Sequence, residues 1–365
     1  MARKVILLSD KKFSRVTVAV FLVMAAITAG FNYWIDPLWH YGHANAYNSV
    51  QKVTNEREQK IAMLHYGRHD YDTLLIGSSR STYIHPSAFE DWDVFNFSVA
   101  NMSIREVHSI MLYSQSQLPG LKRYLMGADF FKSSEKEAGA PRSLANYEKK
   151  IAQPFYRTKN LLSLDSLDIS IQNFLNSATD TIDEERMYNR KGEAFAKKLT
   201  KQEVDESTSL KIERFEEEFY GSNYTYYKDY PMILEKIKEA AQPGELTVYT
   251  TPISTALFAS LVSTGLYEDY ERWIRDLVSV YGGVWNFMYP NTITNDITNY
   301  QDGHHFYPEI GTLIAKRIQH PDTAEVPADF GVFVTADNVD EHLQHVHELM
   351  WEAMIGTDGG MKEAE

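Results

Sequence analysis

Residues 71–80 read YDTLLIGSSR. Thr73 to Ile76 is a short, apolar, β-rich run closed by Gly77, which predicts a buried parallel strand that ends in a tight loop. Ser78 and Ser79 follow at once, then Arg80 and Ser81. The carboxyl end of a strand is where α/β sheets expose ligands and nucleophiles, so a serine here is open to activation. A Gly-Ser-Ser tripeptide is also ordinary turn material, and its chemistry depends on partners elsewhere in the chain.

On the N-terminal side, Asn55 to Tyr66 (NEREQKIAMLHY) sets Ile61 and Leu64, with the preceding Val53, at helical spacings among charges, predicting an amphipathic helix before the strand. On the C-terminal side, Val94 to Val99 (VFNFSV) predicts a second strand and Tyr124 to Met126, leading into Gly127, a third. Between them, Ser103 with Glu106 three residues later is the capping-box pattern that starts a helix over Ser103 to Ser116. A helical run from Met232 to Ala241 leads into a fourth strand, Leu246 to Thr250. Strands interleaved with helices predict right-handed crossovers and a three-layer α/β fold, a parallel sheet flanked by helices on both faces.

Two segments break the rhythm. Residues from about 132 to 230 are rich in Glu, Lys, Ser and Asn with scattered aromatics, among them Phe155, Tyr156, Phe215 and Phe219, and are expected to form a mostly helical insertion. Residues 322–365 carry many carboxylates against Lys362 alone and are expected to be a peripheral acidic extension of the 36–321 domain, with one helix near Val339 to Met354 and a loose GTDGG tail.

Composition narrows the function. The 365-residue chain is 44% hydrophobic, enough for a real core, and its net charge of -14 comes with no basic cluster, which excludes general nucleic-acid binding. It has no cysteine, so a disulfide framework, a thiolate metal site and a cysteine nucleophile are all excluded.

Val16 to Ile35 (VTVAVFLVMAAITAGFNYWI) is uncharged and has the ~20 residues a helix needs to cross a bilayer. Arg3, Lys4, Lys11, Lys12 and Arg15 precede it, and Tyr33, Trp34 and Trp39 mark the far interface. The positive-inside rule then places residues 1–15 in the cytoplasm, 16–35 across the inner membrane, and the rest in the periplasm or outside the cell. A cleaved signal peptide, for which Ile27-Thr28-Ala29 is a poor match, and a buried core helix are the competing readings; the aromatic cluster favours the anchor.

A second chemical signal is YQDGHHFYP, residues 300–308. Asp302 and His305 stand three apart, so a carboxylate on one side of a turn can hold an imidazole in the tautomer that a general base requires. Asp-x-x-His is often only a cap or a surface pair. His304 beside His305 suggests a metal, yet neighbouring histidines in extended backbone point apart and no HExxH-type pattern is present, so neither metal nor cofactor is expected. His342, His345 and His347, with Glu341 and Glu348, read as a solvated helix face.

GSS at the end of an early strand and DxxH near the end of the domain resemble the first and last blocks of the SGNH, or GDSL, hydrolase family, over roughly residues 71–318. The resemblance implies Ser79 as nucleophile, with Ser78 the alternative, His305 as base and Asp302 as its orienter. The family's second block falls on residues 96–101, with Asn101 where its oxyanion glycine stands. The third falls on Gly127-Ala128-Asp129, where Asp129 replaces the amide that usually donates to the oxyanion. An ionised Asp129 beside a developing oxyanion would be repulsive, and a lost donor there costs about 3 kcal/mol. The Ser79 N–H, the Asn101 side chain and the Arg80 guanidinium are the remaining donors. Residues 249–254 (YTTPIS) resemble the strand-end proline segment that lines the family's cleft.

The activity this implies is serine-dependent O-acyl transfer or ester hydrolysis, with acetyl the expected group, on an envelope or secreted polysaccharide; a multipass membrane protein is the expected acyl donor. The competing expectations are an inactive SGNH-like scaffold that binds a glycan or a partner of an export complex, and a lipid esterase with an apolar acyl channel.

Overall fold

The run at residues 73–76 becomes an interior strand of a six-stranded sheet in the computed structural model, which describes residues 10–139 and 141–359. In chain order the strands are β1 (Thr73–Ile76), β2 (Val94–Asn96), β3 (Arg123–Ala128), β4 (Glu245–Thr250), β5 (Gly283–Asn286) and β6 (Val332–Thr335), and in space they run β2-β1-β3-β4-β5-β6. The first five are parallel, as expected, whereas β6 pairs antiparallel with β5. The order reverses between β1 and β3, and at such a switch point diverging crossovers leave a crevice beyond the carboxyl ends of the strands.

Both faces of the sheet are covered. Leu74, Ile76, Tyr124, Met126 and Val248 belong to one apolar cluster, and Leu75, Leu125 and Tyr249 to the other. Successive residues of one strand thus feed opposite faces, which is why these strands read as continuous apolar runs rather than alternating ones.

The principal helices are α1 (Asp10–Ile35), α2 (Glu56–Tyr66), α3 (Ile104–Gln117), α4 (Leu164–Thr179), α5 (Lys201–Glu218), α6 (Tyr230–Ala241), α7 (Tyr267–Tyr281), α8 (Pro308–Gln319) and α9 (Val339–Gly359). Asn55 caps α2 by accepting from the Glu58 N–H, and Ser103 and Glu106 make the reciprocal capping box at α3. Helix α1 is long and apolar enough to cross a membrane, and Phe21 in its middle is 70% exposed. Arg3 and Lys4 lie outside the described residues.

Residues 132–230 hold α4, α5, shorter helices and a small hairpin, Met187–Tyr188 with Ala194–Phe195, which pairs with Gln51–Lys52. The segment after Pro321 departs from expectation. It is not peripheral: β6 extends the sheet, and Leu343, Val346 and Met350 of α9 are buried in the main core. Carboxylates on the outer face dominate its composition, while the apolar residues at strand and helix spacing dock inward. His342 also points inward rather than into solvent, pairing with Asn286 at 2.8 Å. Helix α9 runs on into the expected GTDGG tail, whose last residue lies outside the described region.

Candidate active site

Gly77 ends β1 against the chain that leaves β3. A Cβ at Gly77 or at Gly127 would stand 2.3 Å from the Ser81 hydroxyl, so two glycines make room for one buried serine, which accepts a hydrogen bond from Tyr249 at 2.8 Å. With that hydroxyl locked below, the chain turns into a short 3-10 helix, Arg80–Tyr83, with Ser79 at its start. Ser79 is half-buried while Ser78 is buried.

The His-bearing turn approaches from the other end of the domain. Gly303 adopts φ +69, a conformation that favours glycine, and a Cβ there would meet Thr208 and Ser254. One Asp302 oxygen, Oδ1, accepts the backbone N–H groups of His304 at 3.0 Å and His305 at 2.7 Å. Its other oxygen, Oδ2, meets His305 Nδ1 at 2.9 Å, and His305 Nε2 meets Ser79 Oγ at 2.9 Å. With Nδ1–H donating to the carboxylate, Nε2 is the lone-pair nitrogen and can accept the Ser79 proton. Ser79, His305 and Asp302 therefore form one continuous hydrogen-bonded chain. The Ser78 hydroxyl has no partner among the described residues and is not joined to the imidazole.

Sequence reasoning missed Lys211. It projects from α5 and places Nζ 2.7 Å from Asp302 Oδ2. Burial by itself would raise the Asp302 pKa, but the charges of His305 and Lys211 and the His305 hydrogen bond outweigh it and hold the carboxyl well below the usual range. Asp302 therefore stays an anion. The inward stripe of α5 does carry a signal, because Val204, Thr208 and Phe215 are buried and Lys211 interrupts them at the same helical spacing. A lysine in such a stripe requires a buried acidic partner. The same helix braces the turn, Ser207 donating to the Gln301 carbonyl at 2.8 Å.

Two expected oxyanion candidates lie elsewhere. Asp129 does not face the cleft. Its carboxylate meets the Arg80 guanidinium at 2.6 Å and accepts from the Thr251 hydroxyl at 2.5 Å, with Arg80 1% and Asp129 4% exposed. Arg80 is thus committed beneath the site, and the pair neutralises the charge that would have repelled an oxyanion. Thr251, from the strand-end proline segment, serves this floor and does not line the cleft. His304 is also buried. Burial above all, with the neighbouring Arg80 and His305 charges, holds its pKa well below the usual imidazole range, so it packs as a neutral ring against Phe131 and Phe215.

Asn101 remains on the cleft, at φ +52. Buried Lys132, itself paired with Glu137, donates to Asn101 Oδ1. Because an ammonium only donates, the amide must turn its oxygen toward Lys132 and leave its NH₂ for the cleft. The Ser79 N–H makes no backbone hydrogen bond among the described residues. Asn101 and Ser79 line the same cleft.

The cleft has a volume of about 350 Å³ and is bounded by Ser78, Ser79, Asn101 and His305, by Phe131, Phe215 and Phe219, and by Lys136, Lys211, Arg214, Glu137 and Glu218. The three phenylalanine rings interlock at centroid distances of 5.1 to 5.5 Å, making a wall largely filled by its own members. Among the described residues no group of three His, Asp or Glu side chains is placed to hold a metal ion.

Fold and site together define an α/β domain whose switch-point crevice presents a Ser–His–Asp hydrogen-bonded chain. Compared with known proteins, the chain matches no family model and no curated sequence.

Proposed function

We propose that the chain is a membrane-anchored, extracytoplasmic O-acyltransferase or esterase of the SGNH type. Its acyl group is acetyl and its substrate is an envelope or secreted polysaccharide. The observation that carries this reading is the Ser79–His305–Asp302 chain opening onto a polar cleft that Asn101 also lines.

Ser79 Oγ attacks the acyl carbonyl while His305 Nε2 takes the hydroxyl proton. Asp302 stabilises the resulting imidazolium, and the Ser79 N–H and the Asn101 amide receive the negative charge on the carbonyl oxygen. His305 returns the proton to the departing alkoxide, leaving an acyl-Ser79 ester. A sugar hydroxyl or water, deprotonated by His305, then takes the acyl group and restores Ser79.

The rim of cations and carboxylates favours a hydroxyl-rich acceptor over a long acyl chain, which would need an enclosed apolar channel. An anchor helix keeps the domain beside envelope polymers and beside a multipass membrane protein that supplies acyl groups.

The test is release of p-nitrophenol from its acetate ester by the full-length protein in detergent, together with labelling by a serine-directed phosphonate. Activity and labelling that vanish in Ser79→Ala and persist in Ser78→Ala support the reading. A wild-type protein that neither turns over the ester nor takes the label overturns it in favour of an inactive scaffold.

A further inference from the structure

Helix α4 is amphipathic the wrong way round for a helix in water. Its buried residues are Ser166, Ser170, Asn173 and Ser177, whereas Leu164 is 73%, Ile171 44% and Leu175 55% exposed. Both sets repeat at helical spacing, so a polar face turns into the protein, and the outward face carries Leu164, Ile171 and Leu175 with an exposed acid, Asp168, among them.

Three of these four inward side chains are hydrogen-bonded. Ser170 donates to Asn32 of α1 at 2.8 Å. Asn173 donates to Gln51 at 2.7 Å and accepts the Lys52 N–H at 2.9 Å. Ser177 accepts the Val50 N–H at 2.9 Å. These bonds hold the outward orientation of the leucines and the isoleucine, because rotating the helix would leave polar groups buried without partners.

We propose that α4 lies in the headgroup region of the membrane that α1 crosses, with Leu164, Ile171 and Leu175 among the lipids. This rests on reading α1 as the membrane anchor.

The geometry of the two helices carries the proposal. Asn32 donates to the carbonyl oxygens of Leu161 and Ser163 at 2.9 and 3.2 Å and accepts from Ser170, while the rings of Phe31 and Trp34 each stand 6.0 Å from Phe174. On α1 the shielded positions run from Ala25 through Thr28, Ala29 and Asn32 to Ile35, and Ser170 and Phe174 of α4 seat against the C-terminal part of that stripe. Helix α4 therefore docks on the C-terminal end of α1. It does so beside Tyr33 and Trp34, which are 50% and 40% exposed, at the level where aromatic residues mark a membrane interface.

A helix held at that level with leucines and an isoleucine turned outward suits an interfacial segment, its Asp168 lying among the polar headgroups. Leu162, just before α4, is 51% exposed as well. The domain then rests on the membrane at two points, and one rigid attitude follows.

The experiment uses the full-length protein in vesicles of phosphatidylethanolamine and phosphatidylglycerol. The absence of cysteine makes any introduced thiol unique. Nitroxide labels are placed singly in Phe21→Cys, Leu164→Cys, Ile171→Cys, Leu175→Cys and Gln344→Cys, the last exposed on α9. Collision with lipid-soluble oxygen is compared with collision with a water-soluble nickel chelate.

Oxygen is expected to dominate at positions 21, 164, 171 and 175, and the chelate at 344. Chelate-dominated labels at 164, 171 and 175, with position 21 still in lipid, overturn the proposal and leave the anchor standing. A chelate-dominated label at position 21 overturns the anchor and the proposal with it. Labels at 164, 171 and 175 shielded from both agents overturn lipid as the occupant and assign the face to a second copy of the chain.

Discussion

Asp302 and Asp129 begin alike. Each is a buried aspartate, each is ion-paired with one cation, Lys211 or Arg80, and each takes further hydrogen bonds. The difference lies in the remaining partner. Asp302 meets an imidazole that opens onto solvent through Ser79, whereas Asp129 meets Thr251 and closes on itself. A buried charge with an exposed, titratable neighbour can move a proton. A buried charge whose partners are a fixed cation and a hydroxyl can only hold strands together.

That contrast can be broken most directly at the nucleophile. Ser79→Ala is expected to lower ester turnover by about 10⁴-fold or more, and His305→Ala by a similar factor, because members of such a chain fail as a unit. Ser78→Ala should leave turnover within a few-fold. If Ser78→Ala proves the damaging change, the two serines have been assigned the wrong way round.

The two aspartates then separate by which property suffers. Asp302→Asn should cost about 10⁴-fold in kcat, since an amide can stabilise the wrong imidazole tautomer, with a smaller loss of stability. Asp129→Ala strands the Arg80 guanidinium in the core and should cost about 3–5 kcal/mol, read as a fall in the unfolding midpoint. Equal stability losses from the two substitutions would erase the distinction.

Asn101→Gly keeps the positive φ and removes only the amide. A fall of about 10²–10³ in kcat with little change in KM is the expected result if the amide donates to the oxyanion. An unchanged kcat would assign that task to the backbone alone.

His342 supplies a third kind of buried ionisable group, one kept neutral. Burial first, helped by the nearby His345, lowers its pKa from 6.5 to about 4. Between those values the unfolded chain binds a proton that the folded chain does not, so stability present above pH 6.5 is lost as the pH falls toward 4. The loss from this one residue is on the order of 3 kcal/mol, and His342→Gln should flatten that part of the stability–pH curve.

The sequence disclosed β1 to β4, α2 and α3 because each carries a local signal: an unbroken apolar run, a helical spacing, a capping box. It did not disclose β5 or β6. Their four-residue runs, GVWN and VFVT, are too short to stand out, and β6 sits in a segment whose carboxylates advertise only its outer face. Ser79, His305 and Asp302 were legible because strand end and turn are local patterns in a recognisable order. Lys211 carries no local pattern, since its meaning depends on Asp302, 91 positions away along the chain, and adjacency in sequence does not say which way Arg80 and Asp129 face.

What the sequence by itself determined is therefore everything written in neighbouring residues: the alternating α/β architecture, an apolar helix long enough to span a bilayer, and a serine, a histidine and an aspartate on turns. Tertiary structure alone decided which of two serines meets the imidazole, which of two aspartates is sealed beneath the site, and that α4 turns its leucines outward. Those outcomes depend on burial and on partners distant in sequence, and both are properties of the packed chain.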